Sequence, residues 1–210
     1  MEVLEGIHSI DHSEEKNHSL ETWVLNCKEG VVLIDGGMTL QAVENIAAEL
    51  ETMKKNWKDV KLVLVTHKHG DHVKNLPKIK ELTRAPIKAQ KLEAPLIEKA
   101  VGVKVEGLED GEIIPFCGGI EVIWVPGHSE GNSCYYLRKQ KTIIAGDTIF
   151  GDENCNILPP PEKYCLDVKE ATKEIERLLK YDFDYFLYTH GKDIMGGAKA
   201  KVKELVDKTR

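Results

Sequence analysis

The chain has 210 residues, a length that fits one domain able to bury most of its apolar surface without disulfide or metal staples. Its formal net charge of -6 at pH 7 disfavours nucleic acid as a partner, because phosphate backbones are bound through clustered Lys and Arg. No stretch approaches the ~20 apolar residues of a membrane span, and the first residues carry neither a basic start nor an apolar run. We therefore expect a single cytoplasmic domain over residues 1–210, with no membrane contact.

Short apolar runs bounded by glycine and turn residues recur along the chain, and each predicts a buried strand. In chain order the predicted strands cover residues 22–27, 30–37, 60–67, 119–128, 141–147 and 184–190. Helical spacing of apolar residues predicts helices over 40–57 behind Thr39, over 168–179 behind Asp167, and over 199–208. This mixture without an internal repeat indicates a layered α/β or α+β domain.

One segment is marked as a loop by its composition. Residues 151–164, GDENCNILPPPEKY, combine glycine and asparagine with three consecutive prolines. Such a stretch predicts a stiff loop, and it is the best candidate for a cover over a site.

The strongest chemical signal is THKHGDH at residues 66–72, directly after a predicted strand. Imidazole nitrogen and carboxylate oxygen both suit zinc, and His67 and His69 can face one ion from a tight turn. One turn cannot easily direct four side chains at one centre, so the spacing favours a second ion held by Asp71 and His72. Taken alone, the cluster also fits an exposed polar turn or a single adventitious metal site.

Three more predicted strands end on a potential ligand: His128 in VPGH, Asp147 in IIAGD and His190 in FLYTH. Loops that follow strands at one edge of a sheet are where functional sites gather, because the sheet positions them rigidly. Each residue alone is more often an ordinary surface or core residue. Together with the histidine-rich turn, they favour a shared metal site.

The combination resembles the metallo-β-lactamase superfamily, whose pattern is an HxHxDH turn, a His after a PG turn, an Asp in a GD turn and a final His. The resemblance runs from about residue 22 to residue 191. It implies an αββα sandwich of the α/β class, in which two mixed β-sheets pack face to face with helices outside. It also implies that Asp35 in VLIDGG supports the site by orienting a ligand histidine.

The resemblance further implies which residues hold each ion. The first metal would be held by His67, His69 and His128, the second by Asp71, His72 and His190, with Asp147 bridging the two. Two zinc ions are expected, although iron or manganese would accept the same ligands. Two divalent ions that share a water lower its pKa towards about 7, which gives a hydroxide nucleophile. Asp71, which could take up a proton, and Asp147 are the predicted catalytic residues.

Local motifs narrow the substrate to a small molecule. AGDTIFG at 145–151 is similar to the glyoxalase II group, which hydrolyses a glutathione thioester, and PGHSEGNS at 126–133 is a looser version of that group's turn. The chain ends about twenty residues after His190, so the C-terminal helical region by which longer glyoxalases hold glutathione is not expected. Phe150 stands where homoserine lactonases tend to place Tyr. Aspartate rather than cysteine at 147 argues against β-lactamase activity. A thioester, ester or lactone is the expected substrate.

Other functions on the same fold stay open. A phosphodiesterase would use the same two metals on phosphorus. A mononuclear iron oxygenase of the persulfide dioxygenase type would use His67, His128 and Asp147 as its iron ligands. Flavodiiron reductases fit less well, since they generally place Glu where His69 stands. A non-catalytic binding protein on the same fold is the remaining alternative.

Overall fold

The computed structural model describes residues 1–13, 20–152 and 156–209. The chain divides into two compact units, Met1–Leu108 and Glu109–Arg210, and each contains one large mixed β-sheet. The prediction of a mixed α/β protein with two mixed sheets is therefore confirmed. The expectation of a single domain over the whole chain stays a prediction.

The first unit is built on a seven-stranded sheet in which sequence order and spatial order coincide. Strands one to four pair antiparallel and strands four to seven pair parallel. The strands are β1 (Glu2–Leu4), β2 (Ile7–Asp11), β3 (Glu21–Cys27), β4 (Gly30–Ile34), β5 (Val60–Val65), β6 (Ile87–Gln90) and β7 (Glu106–Leu108). The helices are α1 (Leu40–Thr52), α2 (Gly70–Val73), α3 (Leu76–Thr83) and α4 (Ala94–Val101), with a 3₁₀ turn at Trp57–Asp59.

The core of the first unit explains why these segments read as continuous apolar runs. In β4 the residues from Val31 to Ile34 are all fully buried, as expected of a strand covered on both faces. One face of the sheet packs with α1, α3 and α4 through residues such as Leu33, Ile46 and Ile79. Helix α1 begins where Thr39 caps it by accepting a hydrogen bond from the Ala42 N–H, as predicted. It ends earlier than predicted, at Thr52.

The second unit is built on a six-stranded sheet in the order β15-β14-β11-β10-β9-β8. Only the β11–β14 pair is parallel; the other neighbours are antiparallel. The strands are β8 (Ile113–Ile114), β9 (Ile120–Trp124), β10 (Ser133–Leu137), β11 (Thr142–Ile144), β14 (Tyr185–Leu187) and β15 (Ile194–Met195). The helices are α5 (Val168–Glu174), continued by a 3₁₀ segment at Ile175–Lys180, and α6 (Ala198–Thr209).

Helices α5 and α6 pack on the second sheet and close its apolar core, which includes Ile143, Ile175, Phe186, Val202 and Val206. Asp167 caps α5 by accepting hydrogen bonds from the N–H groups of Lys169 and Glu170, which confirms the predicted start of this helix. Among the residues that the structure describes, no helix is both long and apolar enough to cross a membrane.

The predicted loop at 151–164 contains regular structure at its ends. Strands β12 (Phe150–Gly151) and β13 (Ile157–Leu158) form a small antiparallel ribbon, and a 3₁₀ turn follows at Glu162–Tyr164. The part of the predicted loop at residues 153–155 lies outside the described residues. The segment predicted as a stiff loop therefore contains short strands and a 3₁₀ turn, and its role as a cover over a site stays a prediction.

Candidate metal centre

The histidine-rich turn of the first unit follows β5. Thr66 and His67 are fully buried at the end of that strand, and His69 stands at the N-cap of the short helix α2. Nε2 of His67 lies 3.0 Å from Nδ1 of His69, and the two rings meet edge to face. Two imidazole nitrogens this close suit a common ion, since neighbouring ligand nitrogens in a tetrahedral zinc site lie roughly 3.4 Å apart.

The other two candidate ligands of this turn lie on α2. Nε2 of His72 lies 3.6 Å from Oδ2 of Asp71. The His72 side chain is fully buried, whereas 30% of the Asp71 side chain is exposed. The turn therefore presents two pairs of neighbouring potential ligands, His67 with His69 and Asp71 with His72. That each pair binds a separate ion stays a prediction.

Asp35 fixes the protonation of His72. Its carboxylate accepts hydrogen bonds from the Thr66 N–H and the Thr66 hydroxyl, both at 2.8 Å. Oδ2 of Asp35 also lies 2.8 Å from Nδ1 of His72, in a pair that is buried on both sides. Because a carboxylate accepts, Nδ1 of His72 carries the proton and the Nε2 lone pair is available to a metal. These contacts fit the supporting role that the resemblance implies for Asp35, and that role stays a prediction.

A positive backbone φ lets Asp35 reach this position. Asp35 has a φ of 63°, which turns the chain sharply at the end of β4. The next residue, Gly36, donates its N–H to the carbonyl of His72 at 2.8 Å. A Cβ on Gly36 would lie 2.9 Å from Cδ1 of Ile79, so glycine allows the two segments to approach. Asp35 and Gly36 thus hold the turn at residues 66–72, hereafter the metal turn, by hydrogen bonds to Thr66 and His72.

In the second unit, His128 is held by a close approach of backbone. Gly127 has a φ of 110°, and a Cβ there would lie 2.1 Å from the backbone nitrogen of Ala171 at α5. The N–H of Leu166 donates to the carbonyl of His128 at 3.1 Å, and the N–H of Asp167 donates to the carbonyl of Gly127 at 2.8 Å. His128 is consequently buried and fixed against the start of α5.

Asp147 lies between two histidines. Its Oδ2 is 3.4 Å from Nε2 of His128, and its Oδ1 is 3.5 Å from Nε2 of His190. Each carboxylate oxygen thus faces a different imidazole. This is the arrangement a carboxylate needs to bridge two ions.

His190 is held by the β12–β13 ribbon. Its ring stacks on Phe150 with the ring centroids 5.1 Å apart and an interplanar angle of 14°. Its carbonyl accepts a hydrogen bond from the N–H of Gly151 at 2.9 Å. A Cβ on Gly191 would lie 2.4 Å from the Cα of Gly151, so a pair of glycines permits this approach.

All of the predicted ligands are among the described residues. The first unit brings His67, His69, Asp71 and His72 together on one turn beside Asp35, and the second brings together His128, Asp147 and His190. The assignment of these residues as metal ligands stays a prediction. The donor set of imidazole nitrogens and carboxylate oxygens fits a divalent ion such as zinc.

Sequence reasoning missed three polar residues beside these turns. Sγ of Cys165 lies 3.7 Å from Nδ1 of His128, and burial raises the pKa of this thiol to about 11. Asp193 accepts the Tyr188 N–H at 2.9 Å, and burial raises the pKa of its carboxyl to about 6. Glu93 accepts the N–H of Lys68. Only Asp193, three residues after His190, has a position that could have drawn attention.

Comparison with known proteins identifies the family. The family model described as the metallo-beta-lactamase superfamily matches residues 22–190. The chain therefore belongs to the metallo-β-lactamase superfamily, as its motifs predict.

Relatives and solved structures agree with this membership. A hydroxyacylglutathione hydrolase from Rhizobium meliloti (strain 1021) is 34% identical over 105 residues, which are 48% of this chain and 38% of that protein. A UPF0173 metal-dependent hydrolase from Pyrococcus abyssi (strain GE5 / Orsay) is 33% identical over 147 residues, covering 59% of this chain and 64% of that protein. A metallo-beta-lactamase from Pontibacter korlensis superposes with a TM-score of 0.80 at 20% identity, covering 100% of this chain and 97% of the other. The match to the hydroxyacylglutathione hydrolase thus spans well under half of that protein, and the structural likeness confirms the predicted fold class.

Proposed function

We propose that the chain is a metal-dependent hydrolase that uses two divalent ions, zinc first among them, to cleave a small-molecule thioester, ester or lactone. The observation that carries the proposal is the Asp147 carboxylate, whose two oxygens lie 3.4 Å and 3.5 Å from imidazole nitrogens of two different histidines. In this proposal the first ion is held by His67, His69 and His128, the second by Asp71, His72 and His190, and Asp147 bridges them.

Such a pair of ions would lower the pKa of a shared water and so supply hydroxide as the nucleophile at neutral pH. The protein residues divide the remaining work. Buried His67, His72 and His128 hold fixed positions. The Asp71 side chain is 30% exposed, so it can exchange a proton with solvent. Asp71 is therefore proposed to accept the proton that is released during the reaction, and Asp147 is proposed to contact both ions.

The thioester class is supported by the relatives and by the AGDTIFG motif. The Rhizobium meliloti relative is named a hydroxyacylglutathione hydrolase, and the Pyrococcus abyssi relative a metal-dependent hydrolase. The net charge of -6 supports a small molecule over a polyanionic polymer. We also propose that the protein is located in the cytoplasm.

The test combines metal content with a choice of substrates. Protein purified without added metal is subjected to elemental analysis and assayed on S-lactoylglutathione, p-nitrophenyl acetate, a simple lactone and bis-p-nitrophenyl phosphate. About two zinc per chain with chelator-sensitive cleavage of a carboxylic substrate supports the proposal. Cleavage of the phosphodiester alone would favour a phosphodiesterase. One iron per chain, with none of these substrates cleaved, would favour the oxygenase.

A matched pair of histidine variants checks that the activity belongs to this centre. His190→Asn removes a proposed ligand beside Asp147. His8→Asn removes a histidine that instead pairs with Glu49 at 2.7 Å. We expect the first variant to lose one equivalent of metal and at least about a hundredfold in kcat/KM, a loss in the range found for groups that stabilise charge in the transition state. The second should keep both metal and activity.

A further inference from the structure

Glu93 is a fully buried carboxylate that contacts the metal turn of the first unit. It lies just before α4, in the connection from β6. Its Oε1 accepts the backbone N–H of Lys68 at 2.7 Å. Lys68 stands between His67 and His69, so this hydrogen bond holds the backbone segment that joins two proposed ligands of the first ion.

The segment around Glu93 is rigid enough to serve as an anchor. Oε1 of Gln90 accepts the N–H of Leu92 at 2.6 Å, and the N–H of Glu93 donates to the Gln90 carbonyl at 2.8 Å. The Glu93 carbonyl in turn accepts the N–H groups of Leu96 and Ile97, both at 3.0 Å. The backbone of Glu93 is thus held on both sides, and its side chain reaches Lys68 from a fixed point.

A carboxylate is a costly side chain to bury at this position. A neutral glutamine could accept the same N–H, and burying a carboxylate costs much more free energy than burying an amide. A buried negative charge becomes favourable where cations bind close by, because Coulomb attraction is strong at low dielectric. Together, the contact with Lys68 and the complete burial point to a role connected with the metals.

We propose that Glu93 is a positioning residue for the metal centre. It holds the backbone segment from His67 to His69, and its negative charge favours the binding of a divalent cation by these two histidines. The inference rests on the proposed function, since it requires that this turn binds metal. It assigns Glu93 no contact with the ion or the substrate. Its consequence is that metal affinity depends on a carboxylate outside the ligand set.

The experiment compares Glu93→Gln with Glu98→Gln in the full chain. Glu98 is the matched control, because it lies on α4, which begins directly after Glu93, and its Oε2 accepts the N–H of Val105 at 3.3 Å rather than an N–H of the metal turn. Zinc affinity is measured by competition with a chromogenic chelator. Thermal unfolding is followed with and without zinc. Outer-shell partners of metal ligands typically affect affinity by about 10- to 100-fold, so we expect a loss in that range for Glu93→Gln and a change of less than about twofold for Glu98→Gln.

A merely structural role would lower the melting temperature equally with and without zinc and leave zinc affinity unchanged, and this result would overturn the inference. Glu93→Asp retains the charge with a shorter reach, and is used if Glu93→Gln does not fold. Its zinc affinity should fall less than tenfold, and a larger loss would contradict a role for the charge. If the wild-type chain binds no zinc, the proposed function itself fails, a result distinct from a variant that matches a zinc-binding wild type.

Discussion

Replacing Asp35 by asparagine tests whether hydrogen bonding sets the metal-binding form of His72. In the wild type Oδ2 of Asp35 accepts from both Nδ1 of His72 and the Thr66 hydroxyl, while Oδ1 accepts from the Thr66 N–H. In Asp35→Asn one of these positions becomes an NH₂ donor. With the amide oxygen facing the Thr66 N–H, the NH₂ group faces Nδ1 of His72. The imidazole must then move its proton to Nε2, the nitrogen that would bind the metal.

The magnitude follows from the number of contacts. A hydrogen bond to a charged group contributes roughly 1.5–3 kcal/mol, and Asp35→Asn preserves one of three contacts as it stands. Because the Thr66 hydroxyl can rotate to accept from the new amide, and His72 can accept from it at Nδ1, the main change is that charge-assisted hydrogen bonds become neutral ones. We expect the free energy of unfolding to fall by about 1–2 kcal/mol, the difference between a charge-assisted and a neutral hydrogen bond. Zinc affinity should fall about 10- to 100-fold, because Nε2 of His72 then carries the proton.

The assay is zinc competition with a chromogenic chelator, together with urea unfolding of the metal-free protein. Asp59→Asn is the control, because Asp59 also accepts a backbone N–H, that of Asn56 at 2.9 Å, but at an exposed 3₁₀ turn. The control should lose less than about 1 kcal/mol and keep its zinc affinity. If Asp35→Asn binds zinc within twofold of the wild type, the assignment of the His72 tautomer to Asp35 is refuted.

Three further predictions address the second unit. Burial raises the pKa of Asp193 from 3.8 to about 6, so the wild type loses up to about 3 kcal/mol of unfolding free energy as the pH rises through this range. Asp193→Asn should therefore gain stability relative to the wild type between pH 4 and a pH above 6 in urea titrations. A difference independent of pH would contradict this. Gly127→Ala places a Cβ 2.1 Å from the Ala171 nitrogen and should lose more than about 3 kcal/mol in urea unfolding, against about 1 kcal/mol for Gly102→Ala, which has a φ of 71° and open space. Phe150→Ala removes the ring stacked on His190, a contact worth about 0.5–1.5 kcal/mol. Zinc binding should therefore weaken by up to about tenfold in chelator competition. Unchanged binding would show that the ribbon backbone alone holds His190.

Much of the candidate site could be predicted because its residues follow strands. Apolar runs that end in THKHGDH, PGH, AGD and YTH mark both the strands and the polar residues that follow them. The predicted strands nevertheless extend too far at their C-terminal ends. The run at 30–37 is a strand only to Ile34, and the run at 119–128 only to Trp124. The remaining residues leave the sheet through turns with positive φ, as at Asp35 and Gly127.

Other elements could not be read from local pattern. Strand β10 is buried along its whole length, yet it begins with Ser133 and Cys134 and lacks the kind of aliphatic run that predicts β3, β4, β5, β9, β11 and β14. Trp57 continues the apolar spacing of α1, but the helix ends at Thr52 and Trp57 begins a separate 3₁₀ turn. Glu93 looks like one more charge in a lysine- and glutamate-rich stretch. Its burial depends on tertiary contacts, which a single sequence does not encode locally.

A common principle connects the residues that were predicted with those that were missed. In each unit the proposed ligands stand on short turns, and a second segment of the same unit holds each turn by backbone contacts. Asp35 and Glu93 hold the turn that carries His67 and His72. The start of α5 holds His128, and the β12–β13 ribbon holds His190. Metal affinity should therefore depend on these supporting segments as well as on the ligands.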